Sequence, residues 1–158
     1  DTALFMSLAD AVLASAEQFD GLPAHHAERH GDYNLRNILI DRAGLTSKVC
    51  AIDFRPSQSA PVGYDVARLL VDFTALYAEH LKVADGELLQ RAYMGAFFRG
   101  YDFAKRDDAA IGFLTGVQIV QDWLRIPARE EQRSLMQTLR LAGLVQTARR
   151  MFPQLTRA

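Results

Sequence analysis

One cysteine in 158 residues, Cys50, rules out an intrachain disulfide framework. It lies in the apolar run VCAI, where a buried, inert thiol is expected. There is no internal repeat and no low-complexity tract. No stretch approaches the roughly 18 consecutive apolar residues of a membrane helix, and the opening DTALFMSLAD lacks the basic end of a signal peptide. Charge of one sign is also missing. Lys+Arg 18 against Asp+Glu 19 leaves a net charge of −1, which gives no general attraction to nucleic acid or to an anionic membrane. The expectation is a soluble, cytoplasmic chain with neither nucleic acid nor membrane as partner, its oligomeric state unknown. The sequence does not start with Met and opens inside an amphipathic pattern, so residues upstream are expected to be missing.

What is present is apolar residues in register. A hydrophobic content of 49% over this length is enough for one domain with a sizeable core and too short for two. Leu4, Phe5, Leu8, Val12, Ala16 and Phe19 recur at helical spacing, which predicts a helix over about the first twenty residues, ended by Gly21 and Pro23. Asn37 to Asp41 and Lys48 to Phe54 are short, β-branched and apolar, and the RAGLTS between them carries a glycine turn signal, so they predict a β-hairpin. RPSQSAPVG then reads as a loop. Four further stripes have helical period: Val66, Leu69, Leu70, Phe73 and Leu76; then Leu88, Leu89, Ala92, Tyr93, Ala96 and Phe97; then Ile111, Leu114, Val117, Val120, Trp123 and Leu124 before Pro127; then Leu135, Leu139, Ala142, Val145 and Met151 before Pro153. The fold class is mainly α with one small β-hairpin (α+β), a single domain over residues 1–158.

The chemistry is concentrated in HGDYNLRN, His30 to Asn37, directly ahead of the hairpin. If the outgoing strand starts at Asn37 and the returning one ends at Ile52, Asn37 and Asp53 come side by side at the open end. A carboxylate and a carboxamide oxygen are hard donors suited to Mg²⁺, which keeps several waters and completes its shell with substrate phosphates. Asp32, in the loop feeding the hairpin, is placed to accept or orient a hydroxyl proton near such a phosphate. Metal-assisted phosphoryl transfer to an alcohol requires groups of these three kinds.

HGDYNLRN, followed by AIDF and then GYDVARLL, resembles the catalytic segment of the aminoglycoside phosphotransferase and choline kinase family, relatives of the protein kinases. The match covers roughly Glu28 to Leu70. The resemblance implies the helical C-terminal lobe of a protein-kinase-like fold, with ATP as co-substrate, Mg²⁺ as cofactor and a small-molecule alcohol as acceptor. It makes Asp32 the catalytic carboxylate, Asn37 and Asp53 the Mg²⁺ ligands, His30 a structural member of the loop, and Asp65 a buried helix-start carboxylate bracing the loop backbone. It also requires an N-terminal ATP lobe, absent from this chain, so the chain alone is expected to be inactive. LPAHHAERHGD is more polar than the apolar strand such a lobe has ahead of the loop. Two alternatives stand beside this reading: a non-catalytic kinase-like binding or regulatory module, and a kinase whose acceptor is a protein or a sugar-lipid.

Other polar residues have plainer readings. His25, His26 and His30 read as surface histidines, since adjacent histidines point apart and no Cys or nearby acid completes a ligand set. Arg55 reads as a solvated loop residue, and Arg125, Arg129, Arg133, Arg140, Arg149 and Arg150 as a solvated helix face. A cationic acceptor would want acids or aromatics in the cleft, for which Asp102, Asp122, Trp123 and Tyr101 are candidates, none of them specific; the substrate-binding residues are unknown from sequence.

Overall fold

The structure, a computed structural model, describes residues 2–21, 26–42, 47–56, 58–61, 63–80, 95–97, 99–100 and 108–153. The fold is mostly helical. Its elements are α1 (Thr2–Phe19), β1 (His26–Glu28), a 3-10 turn (Leu35–Asn37), β2 (Ile38–Asp41), β3 (Lys48–Ala51), β4 (Ser59–Pro61), α2 (Gly63–His80), α3 (Asp108–Leu124), a second 3-10 turn (Glu130–Gln132) and α4 (Leu135–Met151). No helix among the described residues is long and apolar enough to cross a membrane. Of the expected stripe from Leu88 to Phe97, only Ala96 and Phe97 fall within the described residues, and both are helical.

Local chemistry sets the helix ends. Ser134 opens α4 with a capping box: its hydroxyl accepts from the Gln137 backbone N–H, while the Gln137 side chain accepts from the Ser134 backbone N–H. At the other end Arg149 and Arg150 lie in the last turn, where cations favour the helix dipole. The apolar stripes meet in one cluster, in which Phe5 and Leu8 of α1, Val71 and Ala75 of α2, Ile119 of α3, and Leu144, Val145 and Ala148 of α4 are buried together. Trp123 stacks on Phe5 at a centroid separation of 5.0 Å and closes this core. Helix α2 is central, packing on both α3 and α4, with α1 against α3. Gly143 allows the closest of these approaches, because a Cβ there would overlap the carbonyl oxygen of Ala75.

Three expectations need correction here. The segment read as a loop after Arg55 contains β4, which pairs antiparallel with β1 (Ala27 opposite Ala60), so there are two small sheets. These three-residue strands carry no alternating apolar pattern, which is why sequence periodicity misses them. Cys50 is exposed, as are its neighbours Lys48 and Val49 in β3. The face of α3 that buries deepest is phased differently from the predicted stripe and includes the polar Thr115, Gln118 and Asp122.

Those polar residues belong to an ionic core between α2, α3 and α4. Asp122, 7% exposed, accepts from Arg68 of α2 (2.6 Å) and from Arg140 of α4. Arg140 also donates to Asp72 of α2 at 2.8 Å. Arg140 is thus an interior cross-link and not part of a solvated face, and Arg133 folds back to donate to the carbonyls of Pro127 and Ala128. A carboxylate buried between two guanidiniums is costly to remove, since it strands both cations. Asp122→Ala should lower unfolding free energy by about 3–5 kcal/mol, measurable by urea denaturation monitored with the Trp123 signal.

Candidate active site

The HGD loop is held by its backbone. Asp65, in the first turn of α2, accepts from the His30 N–H (2.6 Å) and the Gly31 N–H (3.1 Å), using one carboxylate oxygen for each. Three residues on, Asn34 is almost fully buried; its Nδ2 donates to the Asp32 carbonyl at 3.0 Å and its Oδ1 accepts from the Arg36 N–H at 3.0 Å, capping the 3-10 turn. Asn37 donates its Nδ2 to the same Asp32 carbonyl at 2.9 Å. Asp72 accepts from the Leu35 N–H at 3.0 Å. The backbone from His30 to Asn37 is therefore tied at five points, to side chains of the loop itself and of α2.

Gly31 has φ +82°, in the left-handed region, and the Arg55 side chain lies against the place a Cβ would occupy. Glycine is required on both counts. Arg55 accordingly covers this turn, and its backbone N–H donates to the His30 carbonyl at 3.0 Å.

His30 is buried and not on the surface, unlike His26, which is exposed beside the Ser59 hydroxyl. Its ring stacks on Phe54 at 4.3 Å and meets Tyr33 at 5.4 Å. Neither His30 ring nitrogen has a hydrogen-bond partner among the described residues, and the ring packs as a plate between the loop and the residue after Asp53. Burial first, then the negative charge of Asp65, push the neighbouring Tyr33 phenol above its ordinary value. His25, Tyr101 and Asp102 lie outside the described residues.

The hairpin delivers the remaining donors. Its register pairs Ile38 with Ala51, and the Ile52 N–H continues the ladder to the Asn37 carbonyl at 2.9 Å. Asn37 is thus opposite Ile52, and Asp53 is the next residue along. Asp53 has φ +63°, a strained conformation for a side-chain-bearing residue and one that Asp tolerates better than most. Because the Asn37 nitrogen is spent on the Asp32 carbonyl, its oxygen is the end left to act as a donor. The described residues contain no group of three or more His, Cys, Asp or Glu arranged for a metal.

Arg68, which sequence reading passed over, pairs with Asp32. One guanidinium nitrogen lies 3.6 Å from the Asp32 carboxylate while another donates to Asp122. Burial works against the Arg68 charge, but Asp122 by charge and hydrogen bond, then Asp32 and Asp72, outweigh it, so Arg68 holds its proton more firmly than an ordinary arginine. The only available signal was its place in DVARLL, one helical turn after Asp65 and one before Asp72. Asp122 and Trp123 are not placed to recognise a cation: the first is ion-paired and the second is core.

Comparison with known proteins decides the family, since the model of the phosphotransferase enzyme family matches residues 3–105, more than half of the chain. The chain belongs to that family. No curated protein and no solved structure matches it. In this phosphotransferase the matched span runs from α1 through the HGD loop, the hairpin and α2, and so includes every residue named above except those on α3 and α4.

The geometry makes the loop glycine testable. Gly31→Ala should cost about 1–2 kcal/mol for left-handed backbone alone, and more through Arg55. Thermal unfolding should register the loss.

Proposed function

We propose that this phosphotransferase moves the γ-phosphoryl group of ATP to the hydroxyl of a small molecule, with Asp32 as the catalytic carboxylate. One observation carries the reading. The loop backbone around Asp32 is tied by Asp65, Asp72, Asn34 and Asn37, yet the Asp32 carboxylate itself is 26% exposed and accepts none of these ties. A loop fixed so heavily around an accessible acid suits a reaction in which positioning counts for more than base strength.

In the transfer, the acceptor oxygen forms a bond to the γ-phosphorus, the bond from that phosphorus to the β-bridging oxygen breaks, and ADP leaves. The hydroxyl proton passes to Asp32 or is oriented by it. The donor set fits Mg²⁺: Asn37 and Asp53 would hold it through oxygen, and the ion would neutralise charge on the phosphates. His30 and Asp65 hold the loop and touch no reactant in this reading. Arg68 keeps the Asp32 carboxylate turned toward the cleft.

The reading also takes residues 1–158 as the C-terminal lobe, acting in the cytoplasm, with the parts that grip the nucleotide lying elsewhere in the protein. The exposed apolar side chains of the hairpin and the residues after it, Leu39, Ile40, Val49, Ile52 and Phe54, are the surface such parts would cover. A non-catalytic module would have no need of an accessible Asp32 in so constrained a loop.

In the intact protein, Asp32→Asn should lower turnover by about 10²- to 10⁴-fold with little change in nucleotide affinity. Asp53→Asn should instead weaken Mg²⁺-dependent nucleotide binding and recover in part at raised Mg²⁺. Steady-state kinetics across a Mg²⁺ series separates the two. Near-full transfer by Asp32→Asn would remove the assignment.

A further inference from the structure

Beside the loop that carries Asp32 lies a cavity of about 380 Å³ whose walls come from the 3-10 turn, α2, the end of α3 and α4. Four arginines line it: Arg36, Arg68, Arg125 and Arg140. Among the described residues two carboxylates do, Asp72 and Asp122. Asp122 already serves three of these cations, accepting from Arg68 and Arg140 and lying 3.5 Å from Arg125. Arg36 is exposed and pairs with no carboxylate among the described residues, and Arg125 is 68% exposed. A single exposed arginine means little. Four guanidiniums from four segments, converging on one cavity with two acids between them, leave a positive surplus at its mouth.

Asp32 is not among the lining residues, and Arg68 connects it to the cavity. Arg68 lines it, and the same guanidinium reaches Asp32 at 3.6 Å. Arg36 sits between Asp32 and Asn37 in the chain, on the turn that fixes both. We propose that this cavity is the acceptor subsite and that it selects an alcohol bearing an anionic group, a carboxylate or a phosphate, held by Arg36 and Arg125. The inference rests on the phosphotransfer reading for its use of Asp32, and concerns only what is held beside it. With the anion between the two exposed guanidiniums, a hydroxyl a few bonds away extends past Arg68 toward Asp32. A cationic acceptor has no counterpart here, because both lining acids are already ion-paired and the cavity is in positive excess.

Charge-assisted hydrogen bonds from an arginine are strong enough to carry selectivity. The test uses isothermal titration of the intact protein, with and without saturating Mg²⁺ and ADP, against four probes: glycerol, glycerate, glycerol 3-phosphate and choline. The two anions should bind about tenfold or more tighter than glycerol, and choline should not bind. The paired variant Arg36→Gln with Arg125→Gln should erase that preference, while Arg36→Lys with Arg125→Lys should keep much of it. Both sites are exposed, so neither pair should unfold the protein. Equal binding of glycerol, tighter binding of choline, anion binding unchanged in the Gln pair, or no binding of any probe would each overturn the proposal. Transfer from ATP to the same probes reads the two ideas apart. Phosphorylation of neutral or cationic alcohols only would leave the phosphotransfer reading standing and remove the anionic subsite. Arginine-dependent anion binding without any transfer would do the reverse.

Discussion

The carboxylate of Asp122 ties the HGD loop to the helical body. It is nearly buried on α3, takes a hydrogen bond from α2 through Arg68 and another from α4 through Arg140, and so fixes three helices about one point. The apolar core fills the space between those helices, but apolar contact alone specifies neither their rotation nor their slide. The charges do. From Arg68 the network continues to Asp32, and from Arg140 through Asp72 to the Leu35 N–H. The position of the candidate catalytic acid therefore depends on how α2, α3 and α4 pack, although the loop that carries it precedes all three in sequence.

A buried ionic cluster contributes little net stability compared with apolar residues of the same volume. Its value here is geometric. Asp72 and Asp65 stand two turns apart on α2, and each accepts from backbone N–H groups at opposite ends of the HGD loop. Helix α2 thereby acts as a ruler: its fixed rise sets the span between His30 and Leu35 and leaves Asp32 at the middle of the arch. Gly31 makes the turn into the arch possible, and the hydrogen bonds of Asn34 and Asn37 to one carbonyl hold its crown.

Much of this was legible in the sequence. The periods of α1, α2, α3 and α4 follow from their apolar spacing, and the hairpin itself follows from two β-branched runs, but its register does not, since Asn37 lies opposite Ile52 and not beside Asp53. The strands β1 and β4 were not legible, because three residues carry no period and their pairing depends on chain brought together from more than thirty residues apart. The ionic network was not legible either. Arg68, Asp72 and Arg140 look like ordinary polar positions on amphipathic helices, and only packing against a second and third helix turns them inward. Asp122 shows the same limit in the other direction: an acid near an aromatic reads as a cation site until Trp123 proves to be core and Asp122 proves to be paired.

The pairing of Arg68 with Asp32 bears on how Asp32 is held. A guanidinium nitrogen 3.6 Å away gives the carboxylate a charged neighbour on one side. In the loose transition state of phosphoryl transfer, base strength gains little. Orientation gains more. A carboxylate held on one side by Arg68, in a backbone that cannot shift, fixes one direction for the hydroxyl that binds it. The same guanidinium forms a wall of the cavity in which four arginines meet two acids. One side chain of α2 thus lies against the candidate acid and also borders the proposed acceptor space.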